Sequence, residues 1–200
     1  MGIVHEIGKP VNQCEQYVIH SLSDGLPDAW HVYHNLEFTP SHSGGHPYEY
    51  DVVLVGPPGV WVVEVKGYSG RVVGNASQLR LANGRYEQNP IPATNAKARI
   101  LKNNLVQFNP QLNDLYEIYV DSRIVLCREA EIEINDPQNG RILHVFDLIH
   151  FLQRQPAHTH ADEISQIIGE FLQHRFSPLI PNKQIGEYII QDSISHRGKH

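Results

Sequence analysis

The feature that most constrains this chain is a pair of apolar segments separated by a short break, YEYDVVLVGPPGVWVVEVKG at 48–67. Both segments are rich in β-branched residues, which favour strands, and GPPG between them can continue neither a strand nor a helix. The sequence therefore predicts a β-hairpin. Closing the two strands symmetrically over GPPG pairs Val55 with Val60 and fixes the register of every other pair.

This register brings two carboxylates together. It places Asp51 opposite Glu64, and because side chains alternate along a strand, both project from the face that also carries Lys66. The other face is predicted to be core, and it consists of Tyr50, Val52, Leu54, Trp61, Val63 and Val65. Facing carboxylates repel each other, and a divalent cation such as Mg²⁺, which prefers oxygen ligands, would offset the repulsion. The alternative is a solvated sheet face with a simple Glu–Lys pair.

Two further charged residues fit a site of this kind. The Lys66 ammonium could orient a water or stabilise developing charge, and it could act as a base if burial lowers its pKa. Residues 10–24 read as a helix whose apolar stripe is Val11, Cys14, Val18 and Leu22. Glu15 lies on or beside this stripe, where a carboxylate needs a partner or a metal. The alternative is a glutamate at the edge of the stripe that reaches solvent.

The remaining pattern alternates strands and helices. Strands are predicted at 30–38, 121–127 and 140–146, with short strands within 70–87, and helices at 92–108, 147–155 and 161–175. This order indicates an α/β sandwich built on a mixed sheet.

Charge and cysteine content narrow the class of protein. The net charge is −6, yet residues 66–102 contain seven Lys or Arg and one Glu, a local charge of +6 that leaves −12 for the rest. A basic region favours a polyanionic partner, although chance clustering on solvated faces is the alternative. Cys14 and Cys127 are far apart and lack metal-type spacing, and no long apolar run is present, so we predict a reducing, cytoplasmic setting without membrane insertion.

The hairpin sequence, with KGYSGRV after it and NP at 89–90, closely resembles the nuclease-related domain, called NERD, of the PD-(D/E)xK nuclease superfamily. The matching pattern is D-x(12)-E-x-K, formed by Asp51, Glu64 and Lys66, and Glu15 matches the acidic residue of the family's first helix. The resemblance covers roughly residues 10–108.

The resemblance implies a restriction-endonuclease-like αβββαβ core and a DNA nuclease dependent on Mg²⁺, with Mn²⁺ as a substitute. The implied catalytic residues are Glu15, Asp51, Glu64 and Lys66. The implied metal ligands are Asp51, Glu64 and the backbone carbonyl of Val65, with Glu15 assisting. Arg71, Arg80, Lys97 and Arg99 are the expected DNA-phosphate contacts. One departure is Ala93, where the family often has glutamine; Lys97, one helical turn later, is positioned to take over its contact.

The domain organisation follows from the same comparison. Residues 1–175 are interpreted as the nuclease domain, and 176–200 as a linker and the first strand, IGEYIIQDSI, of a kinase-like or helicase-like downstream domain. A role in phage defence or DNA processing is implied, and homo-oligomerisation is compatible with it. The main alternative is a catalytically inactive nuclease-fold module that binds DNA or a partner domain. A weaker one is a regulatory or oligomerising domain.

Overall fold

The computed structural model describes residues 1–39 and 47–178. The strands are β1 (Ile3–Glu6), β2 (His31–Phe38), β3 (Tyr48–Gly56), β4 (Gly59–Lys66), β5 (Gly70–Asn75), β6 (Gln78–Arg80), β7 (Tyr86–Gln88), β8 (Val120–Leu126), β9 (Ala130–Asn135), β10 (Ile142–His144) and β11 (Ser177–Pro178). The helices are α1 (Gln13–Gly25), α2 (Pro90–Phe108), α3 (Gln111–Asp114), α4 (Val145–Gln153) and α5 (Ala161–Arg175).

A mixed sheet in the order β1-β2-β3-β4-β8-β10 forms the centre, and β11 adds to the end of β2. Strand β3 is antiparallel to both of its neighbours, β2 and β4. The other pairs along this order, β1 with β2, β4 with β8 and β8 with β10, are parallel. Helices α2 and α5 cover one face through an apolar cluster, and α1 and α4 cover the other face through a second cluster. The order α1, β2, β3, β4, α2, β8 is the predicted αβββαβ core, which is confirmed. No helix in the described part of the chain has both the length and the apolarity needed to cross a bilayer.

The predicted hairpin register is confirmed where the strands pair. Val55 lies opposite Val60, and the ladder runs from Gly56–Gly59 at the turn to Val52–Val63. It does not continue to the predicted pair of Asp51 with Glu64. Near the turn both faces of the hairpin are core, because helices cover each side of the sheet.

The alternation of side chains changes at one point of β2 and β3. Strand pairing runs to His34–Val52 and resumes at Leu36–Tyr50 in the same register, so that Asn35 lies opposite Asp51. Asn35 has φ +54°, a left-handed conformation that interrupts strand geometry and that asparagine tolerates better than most residues. Beyond this point Tyr50 packs in the cluster beneath α2, not on the opposite face where strict alternation placed it. The predicted face of Tyr50 was therefore wrong.

A second sheet, in the order β7-β6-β5-β9, lies over a third apolar cluster that includes Tyr68 and Ile124. The short strands within 70–87 were predicted from their Gly and Asn-Gly breaks. Strands β1 and β9 were not predicted. Strand β9, AEIEIN, pairs in parallel with β5, which lies 60 residues earlier in the chain. A pairing between segments so far apart in sequence cannot be read from local patterns.

The folded domain extends past the predicted boundary at residue 175. Phe176 is buried among Phe38, Tyr50 and Phe171, and Ser177–Pro178 pair with β2. The interpretation of 176–178 as linker is therefore wrong. The predicted strand at 185–194 lies outside the described residues.

The hairpin turn generates a stability prediction. A Cβ added at Gly56 would lie 2.4 Å from two ring atoms of Trp30, so Gly56→Ala must displace a buried indole. We expect a loss of about 1–3 kcal/mol in the free energy of unfolding, measured by urea denaturation followed by tryptophan fluorescence. Gly140→Ala is the control, because an added Cβ there meets no atom within 4 Å. Equal midpoints for the two variants would contradict this packing.

Candidate active site

The predicted site residues gather where β3 and β4 separate. Glu64 is the centre of the group: its Oε1 accepts a hydrogen bond from the Lys66 ammonium at 2.7 Å, and its Oε2 accepts one from the Lys97 ammonium at 2.7 Å. The side chains of all three residues are mostly buried. Burial alone would raise the pKa of Glu64, but the two ammonium groups outweigh it and lower this pKa below its usual value. Glu64 is therefore a carboxylate held between two cations.

Asp51 occupies the gap left by the end of the ladder. Its Oδ2 accepts a hydrogen bond from the backbone N–H of Val65 at 2.8 Å, so the side chain of Asp51 replaces the missing backbone partner. Burial and the neighbouring Glu64 carboxylate raise the pKa of Asp51, against the opposing effects of the Val65 N–H and Lys97. The two acidic groups are thus close enough to repel, as the hairpin register predicts, although a side-chain contact and not a backbone pair brings them together.

The backbone of Val65 faces the same gap. The N–H and C=O of one strand residue point to the same edge of the strand. Because the Val65 N–H points at Asp51, while the Lys66 carbonyl accepts from Cys127 on the β8 side, the Val65 carbonyl is expected to face the β3 edge as well. This orientation is the one that the predicted backbone ligand requires.

The proposed use of Lys66 as a base does not fit its surroundings. Burial acts to lower the pKa of Lys66, but the carboxylates of Glu64 and Asp51 outweigh it, and the net effect is to raise this pKa. The condition for that role, a lowered pKa, is therefore not met. Lys66 is a permanent cation in the site.

Glu15 is buried, with 6% of its surface exposed, so the alternative that it reaches solvent is wrong. Its carboxylate accepts hydrogen bonds from the Val11 N–H at 2.8 Å, from Asn12 Nδ2 at 2.7 Å and from Asn35 Nδ2 at 2.7 Å. Its negative charge contributes to the raised pKa of Asp51. Glu15 therefore belongs to the same group of charges, fixed in place by three donors.

Asn12 and Asn35 are site residues that the sequence analysis missed. Asn12 caps α1: its Oδ1 accepts from the Glu15 N–H at 3.0 Å while its amide donates to the Glu15 side chain. This reciprocal pairing resembles a capping box, except that the glutamate accepts from the side-chain amide of the N-cap residue and not from its backbone N–H; the spacing Asn12-x-x-Glu15 signals it. It also explains why α1 begins at Gln13 and not at Pro10. Asn35, fully buried, gives no comparable signal in HVYHNLEF.

Lys97 reaches the site from α2, and Ala93, one turn before it, is exposed. The Tyr50 hydroxyl donates to the Lys97 carbonyl at 3.2 Å and so ties this turn of the helix to β3. Lys97 was expected as a phosphate contact and as a replacement for the family's glutamine. The structure places its ammonium on Glu64 itself.

The segment that contains these residues matches a known protein family. The family model of the nuclease-related domain, NERD, matches residues 11–127, more than half of the chain and the segment that contains all four predicted catalytic residues. The chain belongs to the NERD family. Searches of curated proteins and of solved structures give no significant match.

Within the NERD domain, the other predicted phosphate contacts do not form one surface with Lys97. Arg71 forms a two-pronged ion pair with Glu133, at 2.9 and 2.6 Å, and lines a small hollow with Arg80 on the second sheet. Arg99, two residues from Lys97, projects in another direction and lines a hollow of about 480 Å³ between α2 and the start of β8. Of the seven cations in the basic window, four are paired with carboxylates, so the window is not a continuous positive strip.

The second sheet meets the site through Tyr68 and Glu87. The Tyr68 hydroxyl donates to Glu87 at 3.0 Å, and the Glu87 carboxylate contributes to the raised pKa of Lys66. Tyr68 follows Lys66 in the KGY sequence and is almost fully buried. Glu87 was not predicted, because only the packing of the second sheet brings it near β4.

The two cysteines are joined. Cys14 and Cys127 form a disulfide with their Cα atoms 5.4 Å apart, although 113 positions separate them in sequence. The sequence analysis did not predict this bond. Cys14 immediately precedes Glu15, and Cys127 follows the last residue of β8, so the bond ties the start of α1 to the strand beside Lys66.

The arrangement around Asn35 generates a prediction with an internal control. Asn35→Gly keeps a backbone suited to positive φ but removes a donor to the buried Glu15, so we expect a loss of about 1–3 kcal/mol in the free energy of unfolding. Glu117 is the other non-glycine residue with positive φ among those described, at +47°, and it is exposed. Glu117→Gly should change stability by less than about 0.5 kcal/mol. Similar values for both variants, measured by urea denaturation, would rule out a supporting role for the Asn35 amide.

Disulfide reduction gives another prediction. A bond closing a loop of this length stabilises a fold by about 2–4 kcal/mol, so dithiothreitol should lower the thermal midpoint by roughly 5–15 °C. The chain has only 2 cysteines, so Cys14→Ser with Cys127→Ser should start at the lower midpoint and show no response to the reductant. A reductant-insensitive midpoint in the unaltered protein would contradict the bond.

Proposed function

We propose that this NERD domain is a Mg²⁺-dependent nuclease that hydrolyses phosphodiester bonds of DNA. The observation that carries the proposal is the convergence of Asp51, Glu64 and Lys66 at one end of the hairpin, with the Glu15 carboxylate close enough to act on Asp51. These groups come from α1, β3 and β4 and meet where β3 and β4 separate, and all of them lie within the segment that matches the NERD family.

The donors present suit Mg²⁺. Asp51, Glu64 and the Val65 carbonyl would hold the ion through oxygen alone, and Mg²⁺ binds to proteins through one or two carboxylates while keeping several waters. In the described part of the chain, no cluster of three or more His, Cys, Asp or Glu side chains forms a metal cage. Because the proposed donors are all oxygen atoms, the set fits Mg²⁺ or Mn²⁺ better than a structural zinc, which is held by Cys and His. When bound, the ion would neutralise phosphate charge and acidify the attacking water.

Lys66 acts as a fixed positive charge. Its ammonium is held by Glu64 at 2.7 Å, and the raised pKa keeps it protonated throughout the neutral range. Such a cation stabilises the charge that develops on the phosphate oxygens during attack and does not remove a proton from water. Because its partner Glu64 is fixed from both sides, Lys66 is positioned before substrate arrives.

Glu15 has a positioning role in this proposal. Its carboxylate accepts three hydrogen bonds, two of them from asparagine amides, and so fixes Asn35 opposite Asp51. Its negative charge also strengthens the demand for a cation near Asp51. Glu15 contributes through the place and charge of Asp51.

A catalytically inactive DNA-binding module is the second candidate. Two observations favour it: both oxygens of Glu64 already accept hydrogen bonds from lysines, and an exposed Ala93 stands where the family often has glutamine. Such a module would bind DNA in a salt-dependent way and cleave nothing when Mg²⁺ or Mn²⁺ is added. A role in defence and a downstream kinase-like or helicase-like domain stay predictions.

The decisive measurement is cleavage of plasmid and linear DNA with Mg²⁺ or Mn²⁺. Asp51→Asn and Lys66→Met should each lower the rate by on the order of 100-fold or more, about 3 kcal/mol of lost transition-state stabilisation. Glu15→Gln should lower it less. Glu49→Gln, which changes an exposed carboxylate two residues from Asp51 on the same strand, should cut within a few-fold of the unaltered protein. Undiminished cutting by Asp51→Asn and Lys66→Met would refute the proposal.

A further inference from the structure

We infer that the Lys97 ammonium is an internal counter-cation that competes with the divalent ion for Glu64, so that metal loading requires Lys97 to leave its place. This inference rests on the proposed metal site. It assigns to Lys97 a control of metal affinity in addition to any contact with substrate.

The contacts of Glu64 carry the argument. Each of its two oxygens accepts a hydrogen bond from a different ammonium, at 2.7 Å in both cases. Lys66 binds Oε1 from two positions further along the same strand, whereas Lys97 binds Oε2 from helix α2. An ion bound by Glu64 would need an oxygen and would repel an ammonium on the neighbouring atom. Of the two lysines, Lys97 is the one that can move away from Glu64. Its side chain extends from helix α2, whereas Lys66 is held close to Glu64 because both residues lie on β4.

The charges of the cluster support the same conclusion. Glu15, Asp51 and Glu64 supply three negative charges, and Lys66 and Lys97 supply two positive charges, so the group is close to neutral without a metal. Lys97 also offsets the charge of Asp51, the second proposed ligand. Because Lys97 already offsets part of the charge of Glu64 and Asp51, it weakens the attraction of these two carboxylates for a metal ion.

A phosphate group changes this balance. A displaced Lys97 ammonium needs a new anionic partner, and a phosphodiester at the site supplies one. Metal and nucleic acid would then favour each other's binding, because the phosphate removes the competitor of the ion. The domain would hold metal weakly until DNA is present.

The test is metal binding without DNA and without turnover. Mn²⁺ is titrated into the protein, and free Mn²⁺ is followed by electron paramagnetic resonance. Lys97→Met should bind Mn²⁺ at least about tenfold more tightly than the unaltered protein, because a unit charge next to the ion is gone. Lys97→Arg keeps the charge and should bind within a few-fold of the unaltered protein. Lys102→Met removes a cation from the same helix outside the cluster and is the matched control.

The outcomes separate this inference from the proposed function. Asp51→Asn should bind Mn²⁺ far more weakly than the unaltered protein; if it binds equally well, the metal site itself is wrong. If Asp51→Asn loses binding while Lys97→Met binds no more tightly than the unaltered protein, the metal site stands and the competition is refuted. Lys97→Gln replaces Lys97→Met if the latter fails to fold, with the same tenfold expectation.

Discussion

The hydrogen bond from the Val65 N–H to the Asp51 carboxylate is the contact on which the site depends. Up to Val52–Val63 the hairpin is an ordinary ladder, buried on both faces. At Asp51 a side chain takes the place of a backbone acceptor, so β3 and β4 separate while remaining joined. This opening leaves room between the strands for charged groups and turns the Val65 carbonyl toward them. Asp51 thus marks the end of the pairing between β3 and β4, and it supplies the site with its least well compensated charge.

Burying the charges of the cluster costs free energy unless each charge has a hydrogen-bond partner or a counter-charge. Three carboxylates lie within a mostly buried region, and each is satisfied differently: Glu15 by three neutral donors, Glu64 by two ammonium groups, and Asp51 by one backbone N–H. Asp51 is the least well compensated, and its raised pKa records this. A bound cation is stabilised most beside the carboxylate that the fold compensates least. This agrees with the proposed role of Asp51 as a metal ligand.

The sequence predicted the parts of this structure that depend on local periodicity. The hairpin register follows from the GPPG turn and from the two-residue repeat of a strand, and the burial of Glu15 follows from its place on a helical stripe. The sequence did not predict contacts set by long-range packing. Lys97 reaches Glu64 only because of how α2 lies on the sheet, and Asn35 interrupts a segment that reads as continuous strand. The basic window was misleading for the same reason, because carboxylates outside it, Glu133 and Glu64, pair with Arg71 and with Lys97.

The disulfide has a topological consequence. The covalent ring closed by Cys14 and Cys127 spans nearly the same residues as the NERD match at 11–127, so it encloses Glu15, the hairpin and α2 in one loop of backbone. A protease that cuts this loop once would leave both fragments attached, with the carboxylates and lysines of the site still in a single molecule. The oxidised domain thereby keeps all residues of the candidate site in one covalent molecule after one cut, whereas only non-covalent contacts would hold the fragments of the reduced form together.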